Sequence, residues 1–418
     1  MRITHLLVVL APCLLCACIG GSNGTATNTV PPPPTVNSLA VIVDAGPAGV
    51  GTVNRPYVTV KVCAPGSTTC ANIDHVLVDT GSWGLRLVRS VLTAGGVTLT
   101  PSTDTQGNTI EECAGFSGGQ TWGPVAPADV TLAGEVASKV PVQVLDDTNA
   151  GAPPPATSIC VSSGSVHNAV PELGANGILG VGVFAQDCGA ACVNAAPALD
   201  VYYGCSAGAA GVCTAENVAL TGQVTNPVAM FAADNNGVIV DLPTLQNPNG
   251  DATVQGQIIF GLATQTDNAL PATGLTVLGA DPATGDFNAT YNGGTAVLPA
   301  LIDSGSDDYA FADPNMATCT ATPPNNPLWV GYYCPATAPQ SVFAVNTGVG
   351  AENASNTVQF AIADPNSFVA TAAAFINLGG GQGSTRFTWG MPFFYGHKVY
   401  IGIDQTVSGT HKGPFYAY

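Results

Sequence analysis

Charge is what this sequence has least of. Asp, Glu, Lys and Arg make up 9% of its 418 residues, against about a quarter in an average soluble chain. Cations are scarcest. Nine Lys and Arg stand against 27 Asp and Glu, for a formal net charge of −18. No basic stripe can therefore neutralise phosphates, which excludes a nucleic-acid partner. The acidity reads as solubility outside the cell. No HExxH pair, phosphate-binding loop or regular acidic calcium loop occurs, so no metal or organic cofactor is expected. Asp234-Asn235-Asn236-Gly237 and the Asp286/Asn288 pair hint at calcium but read as turns.

Membrane-length apolar runs are absent near the start as well. Leu6–Cys18 is the apolar stretch there, and it is too short to cross a bilayer. Arg2 and His5 precede it, and it ends in Leu15-Cys16-Ala17-Cys18, which resembles a bacterial lipobox. That resemblance implies a signal peptide over 1–17, acylation of Cys18, and a Pro-rich tether over 18–37. An ordinary secretory signal is the alternative. The mature chain would then be lipid-anchored at the cell envelope, on the outer membrane, without spanning it.

Ten of the 13 cysteines remain after Cys13, Cys16 and Cys18 are set aside. An even set in an exported chain implies disulfides. Cys63 and Cys70 flank a Gly-Ser turn, and Cys319 and Cys334 bracket a Pro-rich loop. Cys188, Cys192, Cys205 and Cys213 leave three pairings open, with a metal site at Cys188 and Cys192 as a rival.

What the sequence does have is β pattern. Residues 38–46, 55–64, 237–243, 255–262 and 396–404 alternate β-branched or aromatic residues with polar ones. Asn-Gly pairs at 236–237, 249–250 and 292–293 signal turns. The Ala-rich stretch 367–377 is the best helix candidate. A half-chain repeat is also visible. Val76-Leu77-Val78-Asp79-Thr80-Gly81-Ser82 is followed by Gly177-Ile178-Leu179-Gly180. Ala300-Leu301-Ile302-Asp303-Ser304-Gly305-Ser306 is followed by Thr388-Trp389-Gly390.

This order resembles the pepsin-like aspartic peptidases, and within that fold it is closest to an uncharacterised bacterial lipoprotein family. The resemblance implies a mostly β, two-lobed fold, each lobe barrel-like, over 38–265 and 266–418. It implies that Asp79 and Asp303 meet and share one proton, because two carboxylates that close cannot both ionise. Such a pair could activate a water against a peptide carbonyl. Thr80 and Ser304 would lock the two turns together, Gly81 and Gly305 would allow the tight turn, and Ser82 and Ser306 would hydrogen-bond the outer oxygens.

Residues 113–135 resemble the flap of that family, with Phe116, Ser117 and Gly118 near its tip and Trp122 following. A plain surface hairpin is the alternative. Phe116 stands where a tyrosine is usual and cannot donate a hydrogen bond. Trp83 either narrows the cleft or packs beneath it. Asp307 and Asp308 either hinder ionisation of Asp303 and raise its pKa or leave one side chain in solvent. His75 and His167 read as structural or exposed. The expected partner is a peptide or unfolded protein, acted on by a monomer. The competing expectation is a silent scaffold of the same fold that binds peptide, glycan or protein, with the cleft filled by residues 83–93 or 144–170.

Overall fold

A computed structural model describes residues 37–162, 164–208, 210–321, 326–336, 339–381 and 384–418. Cys18, the signal segment and all but the end of the tether lie outside the described residues. Val36–Tyr418 forms one compact unit. No helix among the described residues is long and apolar enough to cross a membrane.

The alternating runs form strands because β-branched residues pack well on a pleated surface. In the first half these are β1 (Ser38–Val43), β2 (Pro56–Cys63), β3 (Cys70–Asp79) and β4 (Trp83–Val88). They continue with β5 (Thr109–Phe116), β6 (Gly119–Leu132), β7 (Glu135–Leu145) and β8 (Gly177–Val181). Next come β9 (Tyr202–Cys205), β10 (Cys213–Ala215), β11 (Gly237–Asp241) and β12 (Val254–Phe260). The second half has β13 (Val277–Gly279), β14 (Phe287–Tyr291), β15 (Leu298–Ile302) and β16 (Tyr309–Ala310). It adds β17 (Gln340–Thr347), β18 (Ser355–Ile362), β19 (Gly379–Gly380) and β20 (Phe387–Trp389). The last are β21 (Lys398–Gly402), β22 (Val407–Ser408), β23 (His411–Lys412) and β24 (Phe415–Ala417).

Strands β2, β3, β8, β4, β7 and β6 pair in a ring that closes back on β2. This barrel leaves none of those six with a free edge on the ring. In the second half, β14, β15, β20 and β16 form the centre of a seven-stranded sheet. The same local plan occurs twice. Parallel pairing sets Asp79 opposite Gly180 in β3 and β8, and Ile302 opposite Trp389 in β15 and β20. Each time, the strand after the Asp turn (β4 or β16) returns antiparallel along the same partner. The repeat read from the sequence is therefore a repeat of topology.

The halves are joined by the run β1-β12-β11-β21-β24-β13, in which three strands of the first half meet three of the second where β11 pairs with β21. One core continues from Val60 and Val78 through Ile258 to Ile302, Phe387 and Trp389.

All ten cysteines are paired: 63–70, 113–160, 188–192, 205–213 and 319–334. The open choice at 188–213 is thus resolved in favour of the two local bridges, and the thiols of Cys188 and Cys192 are spent on each other. Cys319, Cys334 and Asp364 lie close enough to hold a metal ion. Both sulfurs there are in the disulfide, which removes the thiolates such a site needs.

The helix expected over 367–377 does not form. Only Pro365–Ser367 makes a 3-10 turn. The backbone donors that a helix needs are taken by distant partners: Ala373 and Ala374 donate to the Asp251 carbonyl, and Phe375 donates to the Asn54 side chain. Phe368 and Phe375 stack face to face, with ring centroids 4.6 Å apart. Burial of these rings overrides the alanine propensity. Asn292-Gly293 does turn between the paired strands β14 and β15, with both residues at positive φ.

Candidate active site

Each Asp turn is built from its own backbone. The Gly81 N–H donates to Asp79 Oδ1 at 2.8 Å, and the Gly305 N–H to Asp303 Oδ1 at 2.8 Å. The Ser82 hydroxyl donates to Asp79 Oδ2 at 2.5 Å, and the Ser306 hydroxyl to Asp303 Oδ2 at 2.7 Å. The turns then interlock. The Thr80 hydroxyl donates to the Ile302 carbonyl (2.8 Å) and accepts from the Ser304 N–H (2.9 Å). The Ser304 hydroxyl donates to the Val78 carbonyl (2.7 Å) and accepts from the Thr80 N–H (3.2 Å). Thr80 and Ser304 are both fully buried, so this four-bond lock is shielded from competing water.

The lock brings the carboxyls together. A Cβ on Gly81 would sit 2.5 Å from Asp303 Cγ, and one on Gly305 would sit 2.6 Å from Asp79 Oδ1. Each glycine is required because the opposite carboxyl occupies the space of its missing side chain. Burial, and after it the charge and hydrogen bond of Asp303, push Asp79 up from 3.8 to about 7. The two aspartates thus share a site although 224 positions separate them.

The dyad lies at the floor of a cleft of about 860 Å³. Gly81, Ser82, Gly305 and Ser306 line it, as do Phe116, Ser117 and Gly118 from the hairpin β5–β6. The cleft is open. Trp83 and Arg86, on strand β4, and His167 border it without filling it. Trp83 does both things considered for it, lining the cleft while its ring rests on Phe184 at 4.9 Å. Trp122 is corrected. It is buried outside the cleft lining, donates its indole N–H to the Ala152 carbonyl at 2.8 Å, and packs on Tyr203. It borders a separate hollow of about 310 Å³ with Asp146 and Asn168.

Neither acid after the second turn is left in solvent. The Asp307 carboxylate accepts the Tyr332 hydroxyl at 2.7 Å. Asp308 is buried, and burial, then Asp307, raise its carboxyl well above the ordinary range. Burial thus favours its neutral form over a further negative charge beside the dyad. His75 sits between Asp74 and Asp44, away from the cleft lining.

Three groups of residues escaped the sequence reading. Buried Asn54, at positive φ, donates to the carbonyls of Asp307 and Phe375 and accepts from Tyr395 and the Phe375 N–H. It ties the first half to the second turn. Arg86 is buried and donates to Glu112 at 2.6 Å and Asp187 at 3.3 Å. Its guanidinium carbon lies 5.4 Å from the Phe116 ring centroid, within cation–π range. Arg86 therefore joins the base of the cleft to the hairpin above it. Burial, and to a lesser degree Asp187, push the Glu112 carboxyl up, while Arg86 opposes this. Gln120, in β6, lines the cleft, and so does His167, which the sequence reading had placed as structural or exposed. Length alone hid these contacts, since each joins residues 26 to 341 positions apart.

Among solved structures, the chain is similar to an aspartic proteinase from Irpex lacteus. That match has 14% identity and a TM-score of 0.48, and it covers 91% of this chain and 96% of that one. No curated protein matches the sequence. Residues 33–418 match the family described as Protein of unknown function (DUF3443), and the chain belongs to that family.

Proposed function

We propose that the chain is an exported aspartic endopeptidase, anchored to the envelope by lipid on Cys18, that hydrolyses peptide bonds with a water activated by Asp79 and Asp303. The observation that carries this reading is the facing pair itself, with each carboxyl filling the space beside the other's glycine. Asp79 keeps its proton up to about pH 7, so the dyad holds one proton to give while its other oxygens remain free to take one.

In the reaction, water oxygen bonds to the peptide carbonyl carbon. One water proton passes to the unprotonated carboxylate as the dyad's own proton passes to the carbonyl oxygen. Breakdown of the resulting gem-diol breaks the C–N bond, and a proton goes to the leaving nitrogen. The interlocked turns hold both groups in place before substrate arrives, so little reorganisation is needed during reaction. No metal or organic cofactor enters this scheme. The open cleft supports cleavage over the silent-scaffold reading, which called for a filled groove.

The test uses purified mature protein and an unfolded protein substrate at mildly acid pH. Asp79→Asn and Asp303→Asn should each abolish cleavage while leaving the fold intact. Variants that cut as fast as the parent refute the assignment.

A further inference from the structure

Cations are rare in this chain, yet three of its nine Lys and Arg line the cleft: Arg55, Arg86 and Arg386. Two of the three are committed. Arg86 pairs with Glu112 and Asp187, and Arg386 pairs with Asp286 at 2.8 Å. Arg55 forms no ion pair among the described residues, and the remaining residues contain no Asp or Glu that could supply one. Its guanidinium donates once among the described residues, to the Leu173 carbonyl at 3.4 Å, although it carries five N–H donors. The other described cations without an ion pair, Lys61, Lys139 and Lys412, stand exposed outside the cleft lining, where water solvates them. Arg55 is half-buried. A charge drawn out of water without a partner is costly, so this position calls for an anion.

The place of Arg55 is fixed. It follows Asn54, which is tied to the Asp307 and Phe375 carbonyls, and it precedes Pro56 at the start of β2. A Cβ on Gly174 would come within 3.8 Å of its guanidinium carbon. Glu172 and Asp307 also line the cleft, but each carboxylate holds another donor. Glu172 accepts the Ala169 N–H at 3.3 Å, and Asp307 accepts the Tyr332 hydroxyl at 2.7 Å.

We propose that Arg55 is a specificity-determining residue that receives one carboxylate of the substrate, either an acidic side chain or the C-terminal carboxylate of a peptide. The planar guanidinium fork fits a carboxylate with two parallel N–H bonds. A net charge of −18 opposes the approach of a polyacidic chain, so the preference is for one carboxylate at one position. The proposal rests on the peptidase reading of the cleft.

The experiment measures kcat/KM of purified mature protein on internally quenched peptides at about pH 6, where a peptide glutamate is ionised. Glu replaces Gln at one position at a time in C-terminally amidated peptides, and a further all-Gln peptide has a free C-terminus. In the parent, one Glu position or the free C-terminus should raise kcat/KM about tenfold, the gain from one charge-assisted bond. Arg55→Gln should bring that ratio to about one, and Arg55→Glu should favour Lys over Glu at the same position. Loss of a merely structural contact to Leu173 would slow all peptides alike and leave the ratio intact. Arg55→Met repeats the comparison if the glutamine variant fails to fold. A parent that ignores every carboxylate, or a ratio that survives in the Arg55 variants, overturns the role of Arg55 while leaving the peptidase reading standing. Peptides that are not cut at all overturn the peptidase reading, and this specificity with it.

Discussion

Replacing Asp79 by Asn should stabilise the protein at neutral and alkaline pH while abolishing its proposed activity. Burial, with Asp303 second, raises the Asp79 carboxyl from 3.8 to about 7. At about 1.36 kcal/mol per pH unit, ionised Asp79 costs the folded state roughly 4 kcal/mol. The sign follows from proton counting. Between pH 3.8 and about 7 the folded chain keeps a proton that the unfolded chain has released, so stability falls as pH rises through that window and stays lowered above it. Asn carries no charge and keeps the oxygen that accepts from Gly81. Unfolding entropy of about 2.1 cal/mol/K per residue gives roughly 0.8 kcal/mol/K for the compact unit Val36–Tyr418. The Tm of Asp79→Asn should thus equal that of the parent near pH 4 and exceed it by about 5 °C at pH 8. Glu111, raised to about 8, and Asp308 titrate in both proteins and cancel in the difference. Scanning calorimetry from pH 4 to 8 measures it. Parallel curves for the two proteins refute the idea that the carboxyls are forced together.

Thr80→Val and Ser304→Ala should each cost about 2–4 kcal/mol in denaturant unfolding, because each strands buried partners of the interlock, and both should lower kcat far more than KM. Removing the 113–160 bridge by Cys113→Ala with Cys160→Ala should cost about 4 kcal/mol by loop entropy; an unchanged denaturation midpoint refutes this. Cys18→Ser should leave the protein in the soluble fraction after cell breakage and abolish labelling by a radioactive fatty acid. Retention on the membrane with no loss of label refutes lipidation at that residue.

How much of this was legible depends on where the signal resides. Each half of the dyad could be read because its motif is local and doubled, but that the two halves meet came only from the family resemblance. Asp, hydroxyl residue, Gly and Ser follow one another, and each copy has its apolar-apolar-Gly strand further on. The hairpin β5–β6 was legible through its resemblance to a family flap and its Gly-rich turn after Phe116. Trp122 was misplaced because alternation does not reveal that the Ala152 carbonyl would claim its indole N–H. The stretch 367–377 was misread because helix propensity is local, whereas the groups that capture its backbone, Asp251 and Asn54, are remote. Asp308 shows the same limit. Its carboxyl is evident in the sequence, but the upward shift depends on the burial that only the folded chain supplies. Arg86 reads as one rare cation until Glu112 and Asp187 close around it.

Strand β24, Phe415–Ala417, lies between β21 and β13 in the run that joins the two halves. Its pairing with β13 sets Ala417 against Val277, a contact of long sequence separation, so this part of the joining sheet is slow to close on itself.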